Sequence, residues 1–158
     1  MIDAACQDGT STQVITMVLD IVNNASTALP LSQVTLRYWF KPEAVTDALV
    51  LSVDYATIPA ASVASKFVTV SPARVGANAY LEIGFAPTAP TLALFSDSGQ
   101  IQLRIQTAGF TTLDSNQVGD YSFQNCGTAQ SPNQPPYNPA PTITGYIDGV
   151  LAFGSEPG

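Results

Sequence analysis

Hydrophobic and polar side chains alternate along most of this chain, and runs with the 3.6-residue period of a helix are nearly absent. A period of two places successive side chains on opposite faces of a strand. Turn-forming Gly, Pro, Asn and Asp residues separate the alternating runs. The pattern therefore predicts an all-β fold. The predicted strands are residues 13–22, 34–40, 48–55, 65–71, 80–85, 101–107, 120–124 and 143–153.

The last predicted strand contains the dipeptide Asp148-Gly149 between two short apolar runs. This dipeptide is the strongest hairpin signal in the chain, because both residues tolerate the positive φ angles of a tight turn. Eight or nine strands in 158 residues suit a single domain with two packed sheets. We expect a β-sandwich or a jelly roll.

Charge restricts the partners of this domain. The chain has 12 acidic and 5 basic residues, which gives a formal net charge of -7. A protein that binds nucleic acid needs basic side chains to neutralise phosphates, and attraction to an anionic membrane needs them too. Apolar runs also stay well below the roughly 20 residues that span a bilayer. We expect neither nucleic acid nor membranes as partners.

Catalytic chemistry has few candidate residues. The chain contains no histidine, which excludes Ser-His-Asp and Cys-His arrangements and histidine-ligated metals. A glycosidase could still use two carboxylates as acid and nucleophile. The candidates for such a pair are Asp54, Asp114, Asp120, Glu43 and Glu82. We favour the alternative that these residues occupy surface turns or ligate ions.

The two cysteines, Cys6 and Cys126, are 120 residues apart and lie outside any zinc-binding spacing pattern. They either form a disulfide or remain two separate buried thiols, and we favour the disulfide. The low lysine content and the many Ser, Thr, Asn and Gln residues point in the same direction, towards an extracellular setting.

Residues 127–141 contain five of the 12 prolines and no charged residue. Such a segment adopts extended, polyproline-like conformations. It is either a linker or proline-recognition ligand, or a surface crossover that returns the chain to the same core. We favour the crossover, because the strand-like segment after it is too short to fold alone.

The segment VTLRYWF at 34–40 carries the most informative aromatic residues. Alternation places Tyr38 and Phe40 on one face of the strand, and Arg37 and Trp39 on the other. Trp39 is either a stacking platform for a sugar or a residue of the core, and we favour the core. Arg37 needs a partner within this apolar strand, and Glu82 and a tyrosine hydroxyl are candidates.

Four ordered motifs, VTLRYWF at 34–40, AYLEIGF at 79–85, GDYSF at 119–123 and TGYIDGVLAFGSEP at 144–157, resemble those of the family 3 carbohydrate-binding modules. These are the cellulose-binding modules of cellulosomal scaffold proteins and bacterial cellulases. The resemblance covers nearly the whole chain. It implies a nine-stranded antiparallel β-sandwich of jelly-roll topology, no catalysis, and a structural calcium ion.

The implied calcium ligands follow the Arg-Tyr-aromatic strand and precede the Asp-Tyr-Ser-Phe motif. By position they are the carbonyl of Lys41 together with Glu43, Asn116 and Asp120, where Glu43 replaces the usual Asp. Oxygen donors of these types suit calcium.

The resemblance also implies two carbohydrate-related surfaces. A planar strip on one sheet carries over to Asp54 and Tyr55, and the tryptophan of that strip aligns with Thr112. Phe110 or Leu113 could partly substitute for that tryptophan. A shallow groove on the opposite face carries over to Arg37, Tyr80, Glu82 and Tyr121.

We therefore expect residues 1–158 to form one secreted, non-catalytic module that binds cellulose or a related β-glucan and targets an attached enzyme or scaffold to it. The N-terminal residues lack the basic and apolar stretches of a signal peptide, as an excised domain of a larger secreted protein would. An adjacent catalytic domain in the parent protein is a further expected partner. The alternative is a structural or protein-interaction module of the same fold that has lost binding to crystalline cellulose, because Thr112 occupies the position of the strip tryptophan.

Overall fold

The computed structural model describes residues 1–6, 13–42, 48–113, 116–128 and 137–158. Short 3-10 turns occur at Leu31–Gln33, Ala60–Ser62, Gln117–Gly119 and Phe123–Asn125. No helix within these ranges is long and apolar enough to cross a bilayer. The strands are β1 Ile2–Cys6, β2 Val14–Asn23, β3 Leu29–Pro30, β4 Val34–Phe40, β5 Leu49–Ala56, β6 Val63–Arg74, β7 Ala77–Phe85, β8 Thr91–Leu92, β9 Ser96–Asp97, β10 Ile101–Thr107, β11 Gly127–Thr128, β12 Asn138–Pro139, β13 Ile143–Ile147 and β14 Val150–Phe153.

Two sheets form the framework of the fold. The first sheet has the order β11-β1-β2-β10-β5, with β12 paired to β1 and β9 paired to β2. The second sheet has the order β14-β13-β4-β7-β6. Within the described residues, all pairs in both sheets are antiparallel except β1 with β11. The fold is an all-β sandwich of the jelly-roll type.

The hydrophobic core lies between the two sheets. Alternate side chains of β2 and β10, such as Met17 and Leu103, meet Leu36, Tyr38 and Leu81 of the opposite sheet. All five are buried. The alternation that predicted these strands therefore also sets which residues form the core, and the residues between them face outward.

Most predicted strands are confirmed. The predicted bounds 34–40 and 101–107 agree with β4 and β10, and several other strands differ by one to three residues at their ends. The predicted hairpin in 143–153 is also confirmed: Asp148 and Gly149 have φ angles of 49° and 78° and join β13 to β14.

The prediction of a strand at 120–124 is wrong. This segment contains turns instead, because its polar groups bond to three separate parts of the chain rather than to one neighbouring strand. The Tyr121 amide donates to the carbonyl of Gly76, and the Ser122 amide donates to that of Trp39. The Ser122 hydroxyl accepts from the Trp39 amide and donates to the carbonyl of Thr142.

Nine strands of four or more residues occur among the fourteen of the described ranges, and the other five strands have two residues each. The two-residue strands β11 and β12 lie within the proline-rich segment 127–141, and both pair with β1. Residues 129–136, which hold three of its five prolines, lie outside the described residues.

Candidate functional site

The outward surface of the first sheet brings Asp54 and Tyr55 together. Strict alternation would put neighbouring residues on opposite faces, but the register between β5 and β10 shifts between Gln102 and Leu103. This bulge leaves an extra residue on β5, so that Asp54 and Tyr55 both face solvent. Tyr55 is 50% exposed and lies directly opposite Gln102.

An ion pair fixes Asp54 on this surface. The guanidinium of Arg104 on β10 donates two hydrogen bonds to the Asp54 carboxylate, from Nη2 at 2.9 Å and from Nε at 3.1 Å. An exposed pair of this kind contributes little to stability. Its bidentate geometry instead holds both side chains in fixed positions beside Tyr55.

The other residues predicted for the strip lie beyond the end of β10. Phe110 has a φ angle of 53° and is 51% exposed, and its amide donates to the carbonyl of Thr107. Thr112 is exposed, whereas Leu113 is fully buried in the core. Of the two residues that could replace the strip tryptophan, only Phe110 has a ring available to a ligand.

We call the outward surface of the first sheet, from Phe110 to Tyr55, the Tyr55 face. Thr107 pairs with Leu49 at the opposite end of β5 from Tyr55. At about 3.3 Å per residue, the two exposed rings lie on the order of 20 Å apart. The Arg104–Asp54 pair lies between the positions of the two residues along the sheet.

The outward surface of the second sheet carries the predicted groove residues. Arg37, Glu82 and Lys66 are cross-strand neighbours on β4, β7 and β6. The Arg37 Nε donates to Glu82 at 3.0 Å, and Lys66 Nζ lies 2.7 Å from the same carboxylate. Beside them an open depression of about 200 Å³ is lined by Ala64, Lys66, Glu82 and Gly84 among others.

Aromatic rings surround the Arg37 guanidinium. Its central carbon lies 4.7 Å from the ring centroid of Tyr80 and 4.3 Å from that of Tyr146, distances typical of cation–π contacts. Arg37 also donates to the Tyr146 hydroxyl at 3.2 Å and to Glu156 at 3.4 Å. The sequence predictions of Glu82 and a tyrosine hydroxyl as Arg37 partners are therefore confirmed. We call Arg37, Tyr80, Glu82, Tyr146 and Glu156 the Arg37 cluster.

Trp39 is buried beneath this cluster, with 2% of its surface exposed. Its ring lies outside the core between the sheets and contacts Tyr80 at 4.7 Å and the guanidinium of Arg74 at 5.4 Å. Its indole N–H donates to the Thr144 hydroxyl at 2.9 Å. Trp39 is buried, as the prediction of a core residue requires, but its ring packs on the outer side of its sheet and not in the core between the two sheets.

Hydrogen bonds lead from Trp39 to the C-terminal segment. The Thr144 hydroxyl donates to Tyr146, and the Tyr146 hydroxyl donates to Glu156 at 2.5 Å. Glu156 also accepts from Arg74 at 2.9 Å. Tyr121, the fourth predicted groove residue, donates from its hydroxyl to the carbonyl of Ser155.

Charges within the Arg37 cluster keep both of its carboxylates ionised. The hydrogen bonds from Tyr146 and Arg74 lower the pKa of Glu156. Burial disfavours the charged form of Glu82, but the hydrogen bonds from Lys66 and Arg37 outweigh it and lower the pKa of this carboxylate as well. A raised carboxyl pKa, as a general acid needs, is therefore not found at either residue.

The predicted calcium ligands are partly brought together. Asp120 is buried, and its Oδ1 accepts from the Lys41 amide at 2.8 Å. Asn116 precedes the 3-10 turn that ends before Asp120. Glu43 lies outside the described residues, and in the described part of the chain no three His, Cys, Asp or Glu side chains converge. Carboxylate, amide and carbonyl oxygens nevertheless form a donor set that suits calcium.

The predicted cysteine pair is joined in the structure. The Cys6 and Cys126 sulfur atoms are 1.98 Å apart and both residues are buried. The bond ties β1 to the residue that precedes β11, and so closes a loop of 120 residues.

Sequence reasoning did not identify Arg104, Tyr146 or Glu156 as parts of these surfaces. Arg104 lies within a clear alternating strand, and its outward position followed from that pattern. Glu156 follows the last strand and meets Arg37 across 119 residues of sequence. Local patterns carry no information about a contact of that range.

Comparisons with known proteins give consistent results. Residues 1–154 match the model of the CBM_3 family, described as a cellulose binding domain. A beta-mannanase/endoglucanase A of Caldicellulosiruptor saccharolyticus is 36% identical over 96% of this chain, which spans 11% of that protein. An anti-sigma-I factor of Acetivibrio thermocellus is 30% identical over 92% of this chain, which spans 26% of it. The chain therefore matches only a small part of each relative.

Solved structures agree with the fold. The CBM3a-L domain of a cellulosomal scaffoldin of Clostridium thermocellum has a TM-score of 0.83 and 27% identity, and the match covers 99% of this chain and 89% of that domain. The CBM3b domain of the scaffoldin subunit ScaA of Acetivibrio cellulolyticus has a TM-score of 0.82 and 26% identity, with coverage of 99% and 97%.

Proposed function

This chain belongs to the CBM_3 family of cellulose binding domains, and from that premise we propose that it is a non-catalytic module of a larger secreted protein that binds cellulose or a related β-glucan through the Tyr55 face. In this role it targets an attached enzyme or scaffold to plant cell-wall polysaccharide. The enzyme relatives match it through a small part of their length, which supports a separable accessory module.

The bulge in β5 is the observation that carries this proposal. It turns Asp54 and Tyr55 outward together, beside the guanidinium of Arg104. Sugar rings present C–H faces that stack on an aromatic ring, while their hydroxyls bond to carboxylate, amide and guanidinium groups. Tyr55 and Phe110 supply the rings, and Asp54, Arg104 and Gln102 supply the polar contacts of this face.

Replacement of Tyr55 tests the proposal. We expect Tyr55→Ala to lower the affinity for amorphous cellulose about tenfold, because one stacked ring contributes on the order of 1 kcal/mol beyond its buried area. Depletion isotherms on amorphous and microcrystalline cellulose in parallel measure this. If Tyr55→Ala also loses affinity for microcrystalline cellulose, the Tyr55 face binds the flat surface of packed cellulose chains.

Leu151→Ala is the matched control, because Leu151 is 44% exposed but lies on β14 of the other sheet. It should bind as the unchanged protein does. If the unchanged protein binds neither form of cellulose nor a soluble β-glucan, the proposal is wrong, and the structural or protein-interaction role becomes the better interpretation.

A structural calcium ion is part of the proposal. The carbonyl of Lys41, the side chains of Asn116 and Asp120, and Glu43 would hold it. The buried carboxylate of Asp120 beside the Lys41 backbone supports this assignment, because a cation would compensate the burial of its charge. Calcium there would join the end of β4 to the turn that precedes the predicted groove residue Tyr121.

Removal of calcium should lower the melting temperature. An ion present at 100 times its dissociation constant stabilises the folded state by about 2.7 kcal/mol, or roughly 5–10 °C for a domain of this size. Calorimetry with calcium, with EDTA, and with EDTA followed by excess calcium measures the loss and its recovery. An identical melting temperature in all three samples would exclude the site.

A further inference from the structure

We infer that Tyr137 provides a second sugar-stacking position on the Tyr55 face, across β10 from Tyr55. This inference rests on the proposed function and extends it to a residue of the proline-rich segment. Tyr137 immediately precedes β12, at the first described position after residues 129–136.

The register of β12 fixes where Tyr137 starts. Asn138 and Pro139 pair with Ala4 and Asp3 of β1, and the Ala140 amide donates to the carbonyl of Ile2 at 3.0 Å. The backbone of Tyr137 therefore lies at the outer edge of the first sheet, next to Asn138, where Gly127 of β11 takes over the pairing with β1 at Ala5. This position is on the far side of β1 and β2 from β10.

A hydrogen bond fixes where the Tyr137 side chain ends. Gln100 Nε2 donates to the Tyr137 hydroxyl at 2.7 Å. Gln100 precedes β10, and because Ile101 faces the core, alternation places Gln100 on the outward surface with Gln102. The side chains of Tyr137 and Gln100 therefore extend towards each other and meet above β1 and β2, on the same outward surface that carries Tyr55.

The side chains on the outward surface of β1 and β2 favour a Tyr137 ring that lies flat on the sheet. Ala5 and Val18 are opposite each other on β1 and β2 and belong to the outward side, since neither is part of the core between the sheets. Both are nonetheless buried. Tyr137 itself is only partly buried. A ring with apolar side chains beneath it, a tethered hydroxyl and the other face towards solvent is a preorganised stacking surface.

Tyr55 and Tyr137 are close enough to contact one ligand. The Thr57 amide donates to the carbonyl of Gln100, and Tyr55 pairs with Gln102 two residues further along β10. Strand spacings of about 4.8 Å put the backbones of the two tyrosines, four strand positions apart, on the order of 20 Å from each other. Their side chains shorten the gap between the rings to on the order of 15 Å, with both glutamines between them. Burial and the nearby Asp20 raise the pKa of the Tyr137 hydroxyl, which therefore stays protonated. A β-glucan chain of several residues would span both rings.

Variants at position 137 test this inference against a purely structural role. Tyr137→Ala should weaken binding to amorphous cellulose about fivefold to tenfold. Tyr137→Phe keeps the ring and should bind within twofold of the unchanged protein. NMR titrations with cellobiose and cellohexaose give a ratio of affinities that a change in folding stability does not alter. Tyr137→Ala should reduce the ratio by which cellohexaose binds more tightly than cellobiose.

Tyr55→Ala separates failure of this inference from failure of the proposed function. If Tyr55→Ala weakens binding while Tyr137→Ala does not, the second stacking position is overturned and the proposed function stands. Equal losses in Tyr137→Phe and Tyr137→Ala would also overturn it, because they would assign the effect to the hydroxyl tether. If the unchanged protein binds neither cellulose nor a soluble β-glucan, both the inference and the proposed function are overturned.

Discussion

Loss of the Cys6–Cys126 disulfide is expected to lower the free energy of unfolding by about 4–5 kcal/mol. The bond closes a loop of 120 residues, and in the chain-entropy model a loop of that length restricts the unfolded chain by this amount. For a domain of this size the melting temperature should fall by roughly 10–20 °C. Calorimetry of the double variant Cys6→Ala with Cys126→Ala measures the loss.

Reductant provides the control for this prediction. Because both cysteines are buried, reduction of the unchanged protein requires partial opening and should proceed slowly at low temperature. Once reduced, the protein should melt near the double variant, and reductant should leave the double variant unchanged. A double variant that melts within 2–3 °C of the oxidised protein, on the order of 1 kcal/mol, would contradict the entropic argument.

The Cys6–Cys126 disulfide also lies at the start of the segment that carries Tyr137. Cys6 ends β1, and Cys126 precedes β11, which pairs with β1. The proline-rich segment that leads to Tyr137 begins directly after these residues. The disulfide therefore anchors one end of this segment to the first sheet, and the pairing of β12 anchors the other.

Local sequence patterns predicted most of the long strands and the β13–β14 turn well, because neighbouring residues alone determine these features. The alternation in 34–40 and 101–107 sets both the bounds of β4 and β10 and the faces of their side chains. The Asp148-Gly149 turn likewise requires only two residues that tolerate positive φ. The two-residue alternation and the turn-forming residues are therefore enough to predict a strand that pairs with regular neighbouring strands.

The same patterns failed where side chains replace strand pairing or where a strand is irregular. The segment 120–124 has strand-like composition, but Ser122 bonds to both Trp39 and Thr142 and holds it in turns. The bulge in β5 breaks alternation at Asp54. Only the family resemblance, and not the alternation, assigned Asp54 and Tyr55 to one surface.

Replacement of Trp39 by alanine is expected to lower the free energy of unfolding by about 3–5 kcal/mol, as for other buried aromatic residues. The change removes the contacts with Tyr80 and Arg74 and the hydrogen bond to Thr144. It also leaves a cavity beneath Arg37. The melting temperature should fall by roughly 10 °C or more, measured by calorimetry.

Trp39→Phe is the matched variant, because it keeps a ring against Tyr80 and loses the indole N–H. The Thr144 hydroxyl would keep its bond to Tyr146, so a smaller loss of about 1–2 kcal/mol is expected. Binding to amorphous cellulose, measured well below the melting temperature, should stay unchanged in both variants, since Trp39 lies on the opposite sheet from Tyr55. Lost affinity with an unchanged melting temperature would instead make Trp39 a binding residue and move the glucan site to the Arg37 cluster.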